Sequence, residues 1–333
     1  MSVGKMDKDG FRRYLTDREQ PIPEEEIVAN TRMVERFEEF LKRFDKTLET
    51  ASEEEFTKFS KILIEEGLNT YLNYAALSRY AYFIQNMDLY LPILAIFDGG
   101  EVMNVLHERL GEHVDEEKRD EILPKEKLPP LGMPDTEKIG VTQEILEKME
   151  RVLDPEECKK ILADVAHGLP RDFRKGEREK YLKAGSIDEY LGQKRVAAIA
   201  ELEKHRDEGT LFYNQYITDD VVEFVKSRKD VLSGERRGNT IYHTKIPYMV
   251  QEFLDAKDAK MKRYYACHCA WARESILDDQ VDVSSDFCHC SGGFTKMPWE
   301  AALDQPLEYK MVKSVLKGDD ECSFIIYLPE DIE

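Results

Sequence analysis

The residue types with the clearest chemistry are cysteines near the end of the 333-residue chain. Five of the six cysteines follow residue 266: four form two Cys-His-Cys tripeptides, at 267–269 and 288–290, and Cys322 follows them. In an extended segment the side chains at positions i and i+2 share a face. Each tripeptide is therefore expected to present two sulfurs together, with His268 and His289 pointing away. Two such segments that meet would form a site of four thiolates.

Thiolates are soft ligands, so this set predicts a zinc ion, with an iron–sulfur cluster as the alternative cofactor. Four thiolates would close a structural zinc site and leave one sulfur spare, whereas an open ligand position would allow catalysis. Two other interpretations stay open, namely buried cysteines that pack as small hydrophobic residues and cysteines used in redox or disulfide chemistry. The candidate ligands are Cys267, Cys269, Cys288, Cys290 and Cys322.

The residues around the cysteines carry a family resemblance. The stretches are 267–275 (CHCAWARES), 287–294 (FCHCSGGF), 298–306 (PWEAALDQP) and 312–324 (VKSVLKGDDECSF). They resemble the 4-vinyl reductase type of small-molecule-binding domain and the related L-2-amino-thiazoline-4-carboxylic acid hydrolase-like proteins. The resemblance implies an α/β domain with a cysteine-rich zinc site and an apolar pocket for an aromatic or tetrapyrrole-like ligand. It favours Cys288 or Cys290, together with Cys322, as metal ligands.

Further candidates lie on either side of the first tripeptide. His243 and Lys245 alternate along a β-rich run, so they share a strand face and are the candidate catalytic residues, as an acid–base group and an anion-holding group. An ordinary exposed strand face is the alternative. An indole beside a guanidinium suits a planar ligand, and it suits a packed corner equally well. The candidate cofactor-binding residues are Tyr248, Trp271, Arg273 and Glu274.

Two other segments have plainer interpretations. Cys158 is in register with the apolar positions of a predicted helix over 155–167, so it is expected in the core, and His167 is expected at the helix end. Residues 291–293 (SGG) are expected to form a tight turn, with an anion-binding helix start as the alternative.

The apolar spacing predicts the elements that hold these residues. Residues 33–48 follow the 3-4 period of a helix with one buried face, and a capping box at 52–55 begins the next helix. Short β-rich runs begin near residue 210, and 307–315 with 321–328 are expected to form an antiparallel hairpin. The predicted fold class is α+β: an N-terminal helical bundle over 1–120, a proline-rich linker over 121–140, and a mixed α/β domain with an antiparallel sheet over 141–333.

The N-terminal part has a second resemblance. The order of its helices, with FRRYLTD at 11–17 and EGLNT at 66–70, is similar to the SAM-like core-binding domain of tyrosine recombinases, which clamps DNA. Residues 1–120, however, hold 16 Lys and Arg against 26 Asp and Glu, and the whole chain carries a net charge of −20. Such a surface repels phosphate backbones and anionic membranes, so neither nucleic acid nor a membrane is expected as a partner.

These observations combine into one functional prediction. No apolar leader or spanning segment is recognised, so the protein is expected to be cytoplasmic. We expect a zinc–thiolate protein of a sensor-like kind that binds a planar or apolar small molecule, and a homodimer is compatible with this. The alternative is a metal-dependent hydrolase that acts on a thiazoline or an amide-like C–N bond.

Overall fold

The structure is a computed structural model, and it describes residues 5–330 and 332. The chain forms two compact units. Unit 1 comprises Met1–Gly100 and Pro129–Pro134, and unit 2 comprises Glu101–Leu128 and Asp135–Glu333. The predicted α+β class, with helices at the N-terminal end, is confirmed. The units divide the chain at positions other than the predicted boundaries at 120 and 140.

Unit 1 is helical throughout its described elements. On α2 the predicted stripe is confirmed, because Val34, Phe37 and Leu41 are fully buried. The capping box is present as well, since Ser52 and Glu55 exchange hydrogen bonds at the start of α3. The helices are α1 (Lys8–Thr16), α2 (Glu24–Leu41), α3 (Glu53–Glu65), α4 (Tyr71–Phe83) and α5 (Met87–Phe97).

Helix α5 was not predicted, and it is the most apolar helix of the unit. Together with the helix that follows it, the stretch 87–113 is long and apolar enough to cross a membrane by length and composition, with a mean hydropathy of 1.4 and 28% of its window buried. Pro92 lies inside α5, and a turn over 98–101 separates it from the next helix. The cytoplasmic location stays a prediction.

The proline-rich segment was expected to be a linker without a helix, and this is wrong at both of its ends. A 3₁₀ turn occupies Lys125–Lys127, and a long helix already begins at Asp135. Residues 129–134 belong to unit 1, where the Leu131 carbonyl accepts a hydrogen bond from Asn69 Nδ2 at 3.0 Å. A proline disfavours a helix at and next to its own position, and the segment 121–140 contains no proline after residue 134.

Unit 2 holds the remaining helices. Those that the sequence located well are α9, whose N-cap Asp154 accepts the N–H groups of Glu156 and Glu157 at 3.0 Å, and α12. The helices are α6 (Val102–His113), α7 (Glu116–Ile122), α8 (Asp135–Val152), α9 (Pro155–Val165), α10 (Glu177–Ala184), α11 (Ile187–Glu208), α12 (Asp219–Ser227), α13 (Val250–Asp255), α14 (Ala259–Ala266) and α15 (His289–Leu303).

Two antiparallel sheets complete unit 2. The larger has the strand order β3-β4-β6-β5, and its last two strands form the predicted C-terminal hairpin. Trp299 of α15, Ile241 of β4 and Ile326 of β6 share one fully buried core. The strands are β1 (Leu211–Phe212), β2 (Gln215–Tyr216), β3 (Glu235–Arg237), β4 (Thr240–Thr244), β5 (Tyr309–Lys313) and β6 (Ser323–Tyr327).

Candidate functional site

The five C-terminal cysteines lie where elements of unit 2 begin or end. Cys267 follows the last residue of α14, and Cys269 lies in the loop after it. Cys288 is the N-cap of α15, and Cys290 is the second residue of that helix. Cys322 directly precedes β6 rather than lying on it. Segments distant in sequence therefore each contribute thiols.

The expectation that both tripeptides are extended is wrong for the second one. Residues 288–290 have helical backbone, and in a helix positions i and i+2 point in different directions. The two sulfurs are accordingly held by different neighbours. Cys288 Sγ accepts the Ser314 hydroxyl at 3.2 Å, whereas Cys290 Sγ accepts the His167 N–H at 3.1 Å. The expected tight turn at 291–293 is also wrong, because these residues lie inside α15.

Two of the five sulfurs accept a hydrogen bond, Cys288 from the Ser314 hydroxyl and Cys290 from the His167 N–H. Backbone N–H groups lower the pKa of the other three thiols: that of Cys269 acts on Cys267, that of Trp271 on Cys269 and that of Val315 on Cys322. Such groups favour the ionised form of a thiol.

Burial is the main influence on these thiols, and it raises the pKa of all five. The pKa of Cys290 and that of Cys322 are raised to about 11. The thiols also act on one another. Negative charge on Cys267, Cys290 or Cys288 raises the pKa of Cys269 further, and Cys322 and Cys267 do the same to Cys288. The thiols therefore lie close together, and they stay neutral at pH 7 unless a positive charge compensates them.

The sulfurs suit a soft metal ion by their chemistry but not by their present positions. In the part of the chain that the structure describes, no group of three or more His, Cys, Asp or Glu is placed to hold one metal ion. The donor set itself fits a soft ion by its chemistry, because it consists of thiols, and those of Cys288 and Cys290 already accept hydrogen bonds. Binding of one ion by these thiols would require side chains to move.

Lys245 brings positive charge to the cysteines. Its charge lowers the pKa of Cys267, Cys288, Cys290 and Cys322 in opposition to burial. The residue directly follows β4, the strand that carries His243.

Lys245 also belongs to a small polar group with His167 and Ser291. His167 Nε2 lies 3.0 Å from Ser291 Oγ and 3.3 Å from Lys245 Nζ, and Lys245 Nζ lies 3.4 Å from Ser291 Oγ. Burial first, and then the charges of Lys245 and His268, hold the pKa of His167 well below its usual value. His167 is therefore a neutral imidazole that can accept a proton.

The four predicted cofactor-binding residues form a packed corner beside the first tripeptide. The Arg273 guanidinium lies 4.8 Å from the centre of the Tyr248 ring, and Tyr264 donates to Glu274 Oε1 at 2.7 Å. Trp271 is 4% exposed and lies in a core cluster of unit 2. The packing alternative weighed for these residues matches this geometry.

The other predicted catalytic residue, His243, lines a cavity of about 610 Å³ in unit 2. Burial lowers its pKa to about 3, followed by the charges of Lys194 and Lys245. Phe294 is another wall residue. The centre of its ring lies 5.4 Å from Lys245 Nζ and 4.7 Å from the centre of the His167 ring. The cavity and the cysteines are therefore linked through Phe294, Lys245 and His167.

Sequence reasoning missed several residues of this region. His167 was assigned only to a helix end, and its backbone has positive φ (62°), a conformation that only the local fold specifies. Ser291 was assigned to a turn. The residues that line the cavity from α11 and α15 gave no signal at all, because each is an ordinary helical residue until the two helices face each other.

The comparisons with known proteins add no relative. No protein-family model, no curated protein and no solved structure matches the chain.

Proposed function

We propose that unit 2 is a small-molecule-binding domain stabilised by a zinc ion on cysteine thiolates. The observation that carries the proposal is that these mostly buried cysteines act on one another electrostatically: Cys267, Cys288 and Cys290 raise the pKa of Cys269, and Cys267 raises that of Cys288 and Cys322. Two of the sulfurs, those of Cys288 and Cys290, also accept hydrogen bonds. Isolated buried cysteines that only fill space need neither shared location nor donors. A soft cation would compensate the charge that these thiols cannot otherwise carry.

Four of the five cysteines are the better ligands. Cys267 influences the pKa of Cys269, Cys288 and Cys322, so it lies at the centre of the group. Cys290 also acts on the pKa of Cys269, but its own sulfur is already held by the His167 N–H at 3.1 Å. Because the helical backbone turns Cys290 away from Cys288, we assign the ligands to Cys267, Cys269, Cys288 and Cys322. Cys290 is then the spare sulfur.

A zinc ion on four thiolates has no open coordination position, and it supplies structural stabilisation rather than catalysis. It would tie together the end of α14, the start of α15 and the start of β6. These elements surround the segment of β4 that ends next to Lys245. The ion would thus fix the wall that the cysteine site shares with the cavity.

The test compares two buried cysteines of the same unit. Cys288→Ser is expected to abolish stoichiometric zinc in the purified protein and to lower its melting temperature by several degrees, because metal binding is coupled to folding. Cys158→Ser is the matched control: Cys158 is 5% exposed and its pKa is likewise raised to about 11, but by burial and then carboxylates rather than by other cysteines. Full zinc content in Cys288→Ser would refute the assignment.

The same preparation decides between zinc and an iron–sulfur cluster. A cluster also uses cysteine thiolates, and it gives a brown protein that contains iron and acid-labile sulfide. A colourless protein with zinc supports the proposal, and visible absorption with equal amounts of iron and sulfide would replace the zinc by a cluster.

One observation favours the hydrolase as a second candidate function. Ser291 Oγ lies 3.0 Å from the nitrogen of a neutral imidazole, which is the contact of a nucleophile with its base. In such a reaction Ser291 Oγ would attack a carbonyl carbon while His167 Nε2 takes the hydroxyl proton, and Lys245 would stabilise the negative charge that develops. His167 would then pass the proton to the leaving group as the bond between the carbonyl carbon and that group breaks, and water would hydrolyse the acyl-enzyme. A fluorophosphonate probe tests this directly. Labelling that disappears in both Ser291→Ala and His167→Gln supports a hydrolase, and unlabelled wild-type protein speaks against it.

A further inference from the structure

The cavity of about 610 Å³ carries an unusual set of polar groups. Four buried side-chain atoms from residues that line it have no hydrogen-bond partner: Arg174 Nε, His243 Nδ1, Thr295 Oγ1 and Trp299 Nε1. Trp299 is fully buried and Thr295 is 3% exposed. A buried polar atom without a partner costs about 1–3 kcal/mol, so four of them around one space indicate that something else supplies the bonds.

The chemistry of these atoms limits what can bind. The Trp299 N–H and the Arg174 Nε–H can only donate, whereas Thr295 and the neutral His243 can donate or accept. The bound group must therefore offer at least two hydrogen-bond acceptors close together. Because the pKa of His243 is lowered to about 3 by burial first, its ring brings no charge of its own at neutral pH.

Arg174 adds the preference for negative charge. Among the residues that the structure describes, it forms no ion pair, and its guanidinium lies over the Phe173 and Phe294 rings at 5.0 and 5.7 Å. Another cation of the wall, Lys194, is already bonded to Glu177 at 3.0 Å. Glu177 is shared with Lys180 and Tyr190, and with Glu201 it gives the wall two carboxylates against the three cations Arg174, Lys180 and Lys194.

The body of the cavity is aromatic. Tyr190 and Trp299 pack edge to face at 5.8 Å, and Phe294 and Phe212 also line the space. Gly234 lets β4 and Trp299 approach, since a Cβ there would lie 3.2 Å from the Trp299 ring. A volume of about 610 Å³ lies within the range of roughly 300–1,000 Å³ that small-molecule pockets occupy.

We infer that this cavity binds an aromatic ring system carrying a carboxylate, with the ring against the aromatic wall of Tyr190, Phe294 and Trp299 and the carboxylate on Arg174, Thr295 and the Trp299 N–H. This inference rests on the proposed small-molecule-binding function and names its ligand class and residues. It does not depend on the metal. None of the four donors was singled out from sequence except His243.

The test uses a pair of probes that differ in charge and share their shape, 2-naphthoate and 2-naphthamide. Calorimetric titration of the full chain is expected to show 2-naphthoate binding with one site and at least about tenfold tighter than the amide, since a charge-assisted bond is stronger than a neutral one. Arg174→Gln should remove this preference. Arg151→Gln, an exposed residue of α8 outside the cavity, is the matched control and should keep it.

A second variant checks the position of the carboxylate. Trp299→Phe keeps an aromatic side chain and deletes one donor, so it should weaken binding of 2-naphthoate about tenfold and leave 2-naphthamide less affected. Equal binding of the two probes, a preference that survives Arg174→Gln, or no binding of either probe at millimolar concentration would overturn the inference.

Metal content is measured on the same samples. Zinc without a carboxylate preference overturns the ligand inference alone, and a carboxylate preference in a protein without metal overturns the zinc site alone. Thermal melting of each variant shows that it is folded before binding is scored.

Discussion

The contact between α9 and α15 gives the sharpest prediction, because it depends on Gly293 having a hydrogen atom in place of a side chain. A Cβ at Gly293 would lie 1.7 Å from the Ala163 carbonyl oxygen of α9, roughly half of an ordinary carbon–oxygen contact. The obstacle is helical backbone, so neither helix can give way locally. Gly293→Ala should therefore reach the upper end of overpacking costs and lower the free energy of unfolding by about 3 kcal/mol or more.

Gly192 is the matched control for the same substitution. It lies in the middle of α11 with no atom within 4 Å of an added Cβ. Alanine is favoured over glycine in a helix by about 1 kcal/mol, so Gly192→Ala should stabilise the unit. The same glycine-to-alanine substitution is thus expected to lower the stability of unit 2 at Gly293 and to raise it at Gly192.

Urea unfolding followed by tryptophan fluorescence measures both variants. Trp271 and Trp299 are the two tryptophans of the chain, and both lie in unit 2, so the signal reports this unit by itself. Because α15 also carries Cys290, whose sulfur accepts the His167 N–H, Gly293→Ala should make this thiol react faster with a thiol reagent. Wild-type stability in Gly293→Ala, or a change of the same sign in both variants, would refute the packing argument.

Three further predictions concern stability. The pKa of His243 is about 6.5 in the unfolded chain and about 3 in the folded protein, so unfolding takes up a proton as the pH falls from 8 to 5, and the free energy of unfolding drops by about 2 kcal/mol. In urea denaturation, His243→Gln should lose this part of the dependence of the unfolding free energy on pH. An unchanged pH dependence in the variant contradicts the prediction. Glu177→Gln leaves Lys194 unpaired and should cost about 3 kcal/mol in urea unfolding, and a cost near zero would count against the buried network. Asp154→Ala removes the N-cap of α9 and should lower the free energy of unfolding by about 1 kcal/mol in the same assay. No change would show that the cap does not stabilise the helix.

Much of the fold follows from local sequence signals. The capping box at 52–55 located a helix start, and the two β-rich runs at 307–315 and 321–328 predicted the last hairpin. Local signals failed where tertiary packing overrides them. Helix α5 forms although Pro92 stands in its middle, where a proline removes a helical hydrogen bond, and α8 begins at Asp135, directly after Pro134.

The candidate site divides in the same way. The spacing predicted that the five cysteines form one metal site, and this stays a prediction. The charges of Cys267, Cys288 and Cys290 act on Cys269, but no three His, Cys, Asp or Glu side chains among the described residues are placed to hold one ion. The backbone of the second tripeptide was not predictable from that spacing, since Cys-x-Cys occurs in helices as well as in strands. His167 entered the site only because the chain reverses at a left-handed residue after α9.

The cavity shows why binding residues of this kind escape sequence reasoning. Arg174 and Thr295 lie in segments with no motif, and Trp299 lies in the stretch 298–306 without being singled out there. The hydrogen-bonding state of all three is a property of the assembled unit. An unpartnered buried donor has no signature in the sequence, because every such residue type usually finds a partner.

The central claim is that the neighbouring cysteine thiols bind a soft metal ion, and the metal content of the native protein tests it most directly. Elemental analysis of the purified chain, before and after chelation, is expected to give one zinc per chain, with a fall in the melting temperature of unit 2 once the zinc is removed. A protein that is folded, contains no zinc or iron, takes up neither from solution and melts at the same temperature in chelator would contradict the account.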